Sequence, residues 1–318
     1  MKAATPPSRV LSVALIATVL LAPGLSTPRA AEDSSGASSA GASPGPSPSP
    51  SPGSLHPHGF AQIGLDARYL ATRPFHLDRS GWTKVAATLA TLGALYAGRG
   101  EIRDWSQDHR RESWDRFLQK PRVMGKGAFA PSAALIAYTS SFVTQDDREK
   151  ETAVLLLESM AFTGLVAGIG RFVLATDRPE VGNDVHFFRG NGHGVSGDAA
   201  LAASVVPILR NQYLRIDPDD GGGMRFWKRA AAGILYAGAF LTGYQRINND
   251  KHYAPDVFLG LVSGFTVGQL LCDSHDRSRD AGPRSRLTLG PVPGGIGLSL
   301  SFSGGQGAPA LDTAGTPR

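Results

Sequence analysis

The stretch "RINNDKHYAPD", residues 246–256, decides how this chain folds. Apolar, Gly- and Ala-rich segments flank it: "AAAGILYAGAFLTGY" (230–244) before, and the run that continues from it to Cys272, "APDVFLGLVSGFTVGQLLC" (254–272), after. The Asn-Asn-Asp run and Pro255 make the middle a poor helix. Pro255 suits the first turn of a new helix. The stretch therefore predicts two helices joined by a loop. Arg246 ends the first, His252 stands just before the second, and Asp256 lies just inside it.

Similar apolar segments recur at 84–98, 130–143, 151–175 and 198–209, which with the separated pair makes six helices. No strand alternation stands out between Phe60 and Cys272. The expected fold class is all-α, a six-helix bundle. Most of the runs are shorter than the ~18–20 apolar residues that span a bilayer comfortably, which suits a soluble bundle. Their Gly, Ala and Ser content suits a compact membrane bundle, where small residues let helices approach closely. The segment "DWSQDHRRESWDRFLQKPR" (104–122) is charged, with Trp114, Phe117 and Leu118 at helical spacing. It reads as a surface helix packing that stripe on the core, or as an interfacial helix beside a membrane.

The ends have other compositions. Lys2 and Arg9 precede "VLSVALIATVLLAPGL" (10–25), the pattern of a secretory signal or an uncleaved anchor, assigned to 1–31. Residues 32–58 are a Ser/Pro/Gly-rich linker that cannot bury enough apolar surface to order itself. The helical domain is placed at 59–278 and a C-terminal appendage at 279–318, within which "RLTLGPVPGGIGLSLSF" (286–302) alternates about a turn and reads as a short β-hairpin. Among the 318 residues Cys272 is the one cysteine, so no intramolecular disulfide forms, and its leucine neighbours predict a buried thiol. A net charge of +5, without a basic run interleaved with aromatics, argues against nucleic acid as a partner.

Three stretches carry polar residues that packing does not require. In "RFVLATDRP" Arg171 and Arg178 are seven apart, two helical turns, so a helix continuing to Pro179 would project both guanidiniums from one face. Paired guanidiniums match phosphate oxygens; the alternative is two solvated arginines. In "GNGHGVSGDAALAA" a glycine loop runs into Ser196, Gly197 and Asp198 at a helix start, either an anion site or a plain N-cap. In the opening stretch a carboxylate at Asp256 can hold one ring nitrogen of His252 and leave the other as a nucleophile.

Taken together, R-x6-R-P, then S-G at a helix start, then R-x5-H-x3-D, resembles the type-2 phosphatidic acid phosphatase and vanadium haloperoxidase superfamily, over roughly residues 84–272. The resemblance implies that Arg171, Arg178, Ser196, Gly197 and Arg246 bind phosphoryl oxygens, that His252 forms a phosphohistidine, and that Asp256 orients it. It implies no metal and no cofactor for phosphatase work, with vanadate only under the haloperoxidase alternative. Arg171 stands where that family has lysine, Val195 where it has proline, and Gln245 where it has serine. Asp198 stands where it has the histidine that protonates the leaving group. Asp198 itself, His193 five residues upstream, or no donor at all (a catalytically weak phosphate- or lipid-binding relative) are the three outcomes. The expectation is a phosphomonoesterase of the acid-phosphatase kind, taking a phosphorylated lipid or a small phosphate ester. The leader implies export. Arg148, Lys150, Arg225, Lys228, Arg229, Arg277 and Arg279 lie at the helix ends away from the motifs. By the positive-inside tendency this gives an inner-membrane protein with a periplasm-facing site, or a soluble periplasmic one.

Overall fold

A computed structural model describes residues 60–182, 184–280, 286–292 and 295–301. The expected signal (1–31) and linker (32–58) lie outside the described residues. The chain divides into two units, Met1–Cys272 and Asp273–Arg318.

The six apolar segments expected to be helical form helices, 151–175 only as far as Val173, and three further helices make nine rather than six among the described residues. In chain order the elements are α1 (Phe60–Thr72), α2 (Arg79–Ala97), α3 (Arg99–Asp108), α4 (Glu112–Gln119), α5 (Phe129–Thr144), α6 (Asp147–Val173), β1 (Leu174–Thr176), β2 (Val185–Phe187), α7 (Gly197–Tyr213), α8 (Gly222–Asn248) and α9 (Ala254–Asp280). A 3-10 turn, Pro121–Gly125, leads from α4 towards α5. In the second unit β3 (Arg286–Val292) and β4 (Gly295–Ser301) pair antiparallel, Val292 opposite Gly295.

Two expectations change. The helix through Arg171 stops at Val173, well before Pro179, so Arg171 and Arg178 do not share a helix face. The chain instead enters β1, which pairs antiparallel with β2, Ala175 opposite His186. The β-branched and aromatic residues of these short runs favour extended backbone. The charged segment 104–122 is two helices rather than one, interrupted around Arg111, which is extended (φ −135°, ψ 142°). Of its apolar stripe only Leu118 is buried, while Trp114 and Phe117 stack on each other and stay 43% exposed.

Helix starts follow local capping rules. Asp146 accepts a hydrogen bond from the Arg148 N–H at 2.9 Å, and Asp147 and Glu149 favour the N-terminal end of the dipole of α6. The helices α5 to α8 pack in succession, and α7 is central: Ala199, Ala200, Ala202, Ala203, Val206 and Ile208 are fully buried. A helix apolar all round is buried all round.

The approach of α9 to α7 sets the depth of the site. Gly260, Gly264 and Gly268 recur every fourth residue on α9. A Cβ on each would overlap the carbonyl oxygens of Ser196, Ala200 and Ser204, which recur every fourth residue on α7. Backbone therefore lies on backbone, the small-residue packing that also serves helices in lipid. The Ser196 N–H donates to the Asp256 carbonyl at 2.9 Å, so the two helices start side by side. At the other end Tyr213 Oη donates to Glu149 Oε2 at 2.5 Å. Neighbouring helices thus alternate in direction, and the three motif stretches gather at one end. α6 and the Ala254–Ser278 part of α9 are long and apolar enough to cross a membrane.

Candidate active site

His252 is buried in the loop between α8 and α9. Its Nδ1 lies 3.1 Å from the His193 carbonyl oxygen and 3.7 Å from Asp256 Oδ2. A carbonyl only accepts, so the hydrogen bond places the proton on Nδ1 and leaves the lone pair on Nε2. The expected orienter, Asp256, stands behind the ring, yet the backbone of the glycine loop is the nearer partner.

Asp256 is fully buried in the first turn of α9. One carboxylate oxygen accepts from the Tyr253 N–H at 3.1 Å and the other from the Thr176 hydroxyl at 3.3 Å. Thr176, on β1, went unnoticed in sequence. The short β1–β2 pairing brings it in, and nothing local distinguishes it from any other threonine.

The glycine loop passes tightly over the end of α6. A Cβ at Gly194 would overlap the Leu174 carbonyl oxygen. His193 N–H donates to the Thr176 carbonyl at 2.9 Å, which fixes the ring within 6.3 Å of His252. Burial pushes the His193 imidazole below the usual histidine range, and the charges of Arg178, His252 and Arg171 push the same way. Both first-motif arginines therefore act on His193 despite the helix ending between them.

Ser196 is completely buried, and its Oγ accepts the Ala199 N–H at 3.5 Å, the N-cap role. Gly197 opens onto free space, with nothing within 4 Å of where a Cβ would stand. Arg178 is exposed, its Nη1 3.7 Å from Glu180 Oε1, and Glu180 accepts from Lys251 at 2.8 Å. Arg246 is half-buried at the end of α8, and desolvation lowers its proton affinity; Asp198 opposes that, while Arg122 and Arg178 add to it. Asp198 Oδ2 lies 3.4 Å from Arg246 Nη1 and 3.5 Å from Arg122 Nε. Arg122 is the second residue that sequence reading missed. Its only signal is its place just after Pro121, where the charged helix stops.

The catalytic loop is braced by the charged segment. Arg103 grips Asp250 with two hydrogen bonds, 2.6 and 2.8 Å, and Gln107 donates to the Ile247 and Asn248 carbonyls at 3.1 and 3.2 Å. Asn248 donates to Asp115 Oδ1 at 2.5 Å. Asp250 is left-handed (φ 57°), a conformation that Asp tolerates and that turns the chain out of α8.

Near the β1–β2 pairing, Asp177, Asp184 and His186 bring potential ligand atoms within 4.8 Å of one another. His186 Nε2 lies 3.8 Å from Asp177 Oδ2.

The site thus holds a buried imidazole with its Nε2 lone pair free, and Asp198 in ion-pair range of Arg122 and Arg246. The PAP2 superfamily model matches residues 152–280. Over these residues the chain is similar to the PAP2 superfamily. The match takes in α6 from its first turns, the β1–β2 pairing, α7, α8 and α9, and so every motif residue named above; Arg122 and the brace lie before it. Two solved structures resemble the chain. A transmembrane PAP2 type phosphatidylglycerolphosphate phosphatase from Bacillus subtilis is 18% identical, with a TM-score of 0.47, covering 69% of this chain and 98% of its own. Aquifex aeolicus LpxE is 20% identical, with a TM-score of 0.40, covering 55% and 94%. No curated protein matches the chain in sequence.

Proposed function

We propose that the chain is a phosphatase that hydrolyses a phosphate monoester through a phosphohistidine at His252. The observation that carries this reading is the hydrogen bond from His252 Nδ1 to the His193 carbonyl, which leaves Nε2 as the free nucleophile beside the arginines. Arg171, Arg178 and Arg246, with the N–H groups at the start of α7, hold the phosphoryl oxygens. The Nε2 lone pair attacks phosphorus and the bond to the ester oxygen breaks. Asp256 stabilises the positive charge that the ring acquires. The leaving oxygen takes a proton from a neighbouring acid. Water then attacks the phosphohistidine, releasing phosphate and returning the ring to its starting state.

His193 suits the donor role better than Asp198. It lies beside His252 and Arg178, whereas one oxygen of Asp198 is shared between two guanidiniums. A bound phosphoryl dianion would raise the proton affinity of His193 when the proton is needed.

The rim favours a lipid phosphate over a soluble ester. Phe172, Phe187 and Phe188 are 48%, 63% and 68% exposed, and Phe172 and Phe188 pack edge to face at 6.0 Å. The Arg189 N–H donates to the Phe172 carbonyl, which keeps this aromatic lip against the end of α6 next to Arg171. Exposed rings beside cations suit the boundary between headgroups and acyl chains.

The test is phosphate release from a lipid phosphate in mixed micelles and from p-nitrophenyl phosphate. His252→Ala should abolish both, and acid-labile radiolabel from the phosphate should stay on wild type alone. Phe172→Ala and Phe187→Ala should lower kcat/KM on the lipid and spare the soluble ester. Equal turnover by wild type and His252→Ala would end the proposal.

A further inference from the structure

Arg122 comes to the site by a route that no motif describes. Its 3-10 turn is wedged against α7 and α8. The Thr242 hydroxyl donates to the Pro121 carbonyl at 2.7 Å, and a Cβ at Gly125 would overlap the Asp198 carbonyl oxygen. The backbone on both sides of Arg122 is thereby fixed against the helices that carry Asp198 and Arg246. The guanidinium reaches the same oxygen of Asp198 that faces Arg246. The Nε atoms of Arg122 and Arg246 are both buried with no hydrogen-bond acceptor. Two partly buried guanidiniums share one carboxylate oxygen, and the buried Nε of each keeps its donor capacity unspent.

We propose that Arg122 is a fourth anion-binding arginine of this site, and that Asp198 is its counter-charge, a positioning residue that keeps Arg122 and Arg246 together until a phosphoryl group displaces it. This rests on the reading that the arginine-lined space takes a phosphoryl group. Two guanidiniums within ion-pair range of one oxygen repel each other, and partial burial weakens the screening by water. An added arginine needs a carboxylate, and position 198, at the start of α7 and within reach of both guanidiniums, is where one fits. The aspartate at 198 and the arginine at 122 are then one feature. Placing histidine at 198 without removing Arg122 would leave two guanidiniums uncompensated.

Inorganic phosphate binding to the purified full chain, measured by titration calorimetry, reads this without requiring turnover. Arg122→Ala is expected to raise Kd about tenfold, as loss of one charge-assisted contact does, and Arg122→Lys to recover part of it. Arg122→Gln, which keeps most of the side-chain stem, should bind like Arg122→Ala; it carries the reading if the alanine variant melts early. Asp198→Asn should tighten phosphate several-fold in the wild-type background and much less in Arg122→Ala, a non-additive cycle. Kd within twofold of wild type in both Arg122→Ala and Arg122→Gln, while Arg246→Ala weakens binding, would overturn the inference and leave the phosphatase reading standing. The expected pattern in a protein that releases no phosphate from any ester would do the reverse. Failure of the wild type to bind phosphate at millimolar concentration would overturn both.

Discussion

His193 and Asp256 both face the Nδ1 side of one imidazole, and each makes a prediction. The His193 ring is held below the ordinary histidine range, first by burial and then by the arginines and His252. In the free enzyme it gains its proton only as pH falls below the usual value of about 6.5. If it protonates the leaving group, kcat/KM should rise from pH 7.5 towards the acid side. In His193→Gln that rise should flatten, with kcat down by about 10²–10⁴-fold, the usual worth of a general acid. An unchanged profile would remove His193 from the role. Asp256 accepts from Tyr253 and Thr176 in a fully buried place. Asp256→Ala strands both donors and should cost about 2–4 kcal/mol of stability, read as a lowered Tm, besides its effect on rate.

At the scale of elements, the brace and the glycine stripe do different work. Arg103 and Asp250 form a two-point ion pair whose side chains are 32% and 21% exposed, so solvent screens part of it. Asp250→Asn keeps a residue that accepts the left-handed backbone but loses the charge. It should lower stability by about 1 kcal/mol and kcat more than KM, because the loop carries the nucleophile. The α7–α9 contact is less forgiving. A Cβ at Gly264 would overlap the Ala200 carbonyl, whereas one at Gly233, on α8, meets nothing within 4 Å. Gly264→Ala should destabilise by about 1–3 kcal/mol through overpacking. Gly233→Ala should stabilise by about 0.5–1 kcal/mol through helix propensity. Thermal unfolding of the two variants side by side decides it; the same sign for both would mean that the helices do not touch as described.

At the scale of the molecule, the outward faces of α5 and α6 are apolar. Leu135, Ile136 and Phe142 on α5 and Leu165 and Ile169 on α6 are all more than half exposed. Monomeric soluble proteins rarely leave so much contiguous apolar surface in water. The acids of α6 that would be costly in lipid, Glu151 and Glu158, face inward. The protein is therefore expected in the membrane pellet and to need detergent for extraction, and the pair Leu165→Glu with Ile169→Glu should weaken that retention. Recovery of folded wild type in the soluble fraction would show that something other than lipid covers these faces.

What the sequence determined by itself was local. Asn-Asn-Asp and Pro255 broke the helix, the Ser196–Asp198 stretch marked the start of α7, and the spacing of Arg246, His252 and Asp256 could be read because one loop and two helix ends carry all three. Small-residue content announced close packing, though not which glycine met which carbonyl. Tertiary structure alone decided the rest. The pair Arg171 and Arg178 is joined through the short strand β1 rather than along a helix, so the two-turn spacing argument does not describe how both come to act on His193. Thr176, the His193 carbonyl and Arg122 acquire their roles only when distant segments meet. The physical reason is range: capping, helix breaking and turn chemistry act within a few residues of backbone. Hydrogen-bond partners and charge balance are instead set by whatever packing brings within a few ångströms, however far apart in the chain.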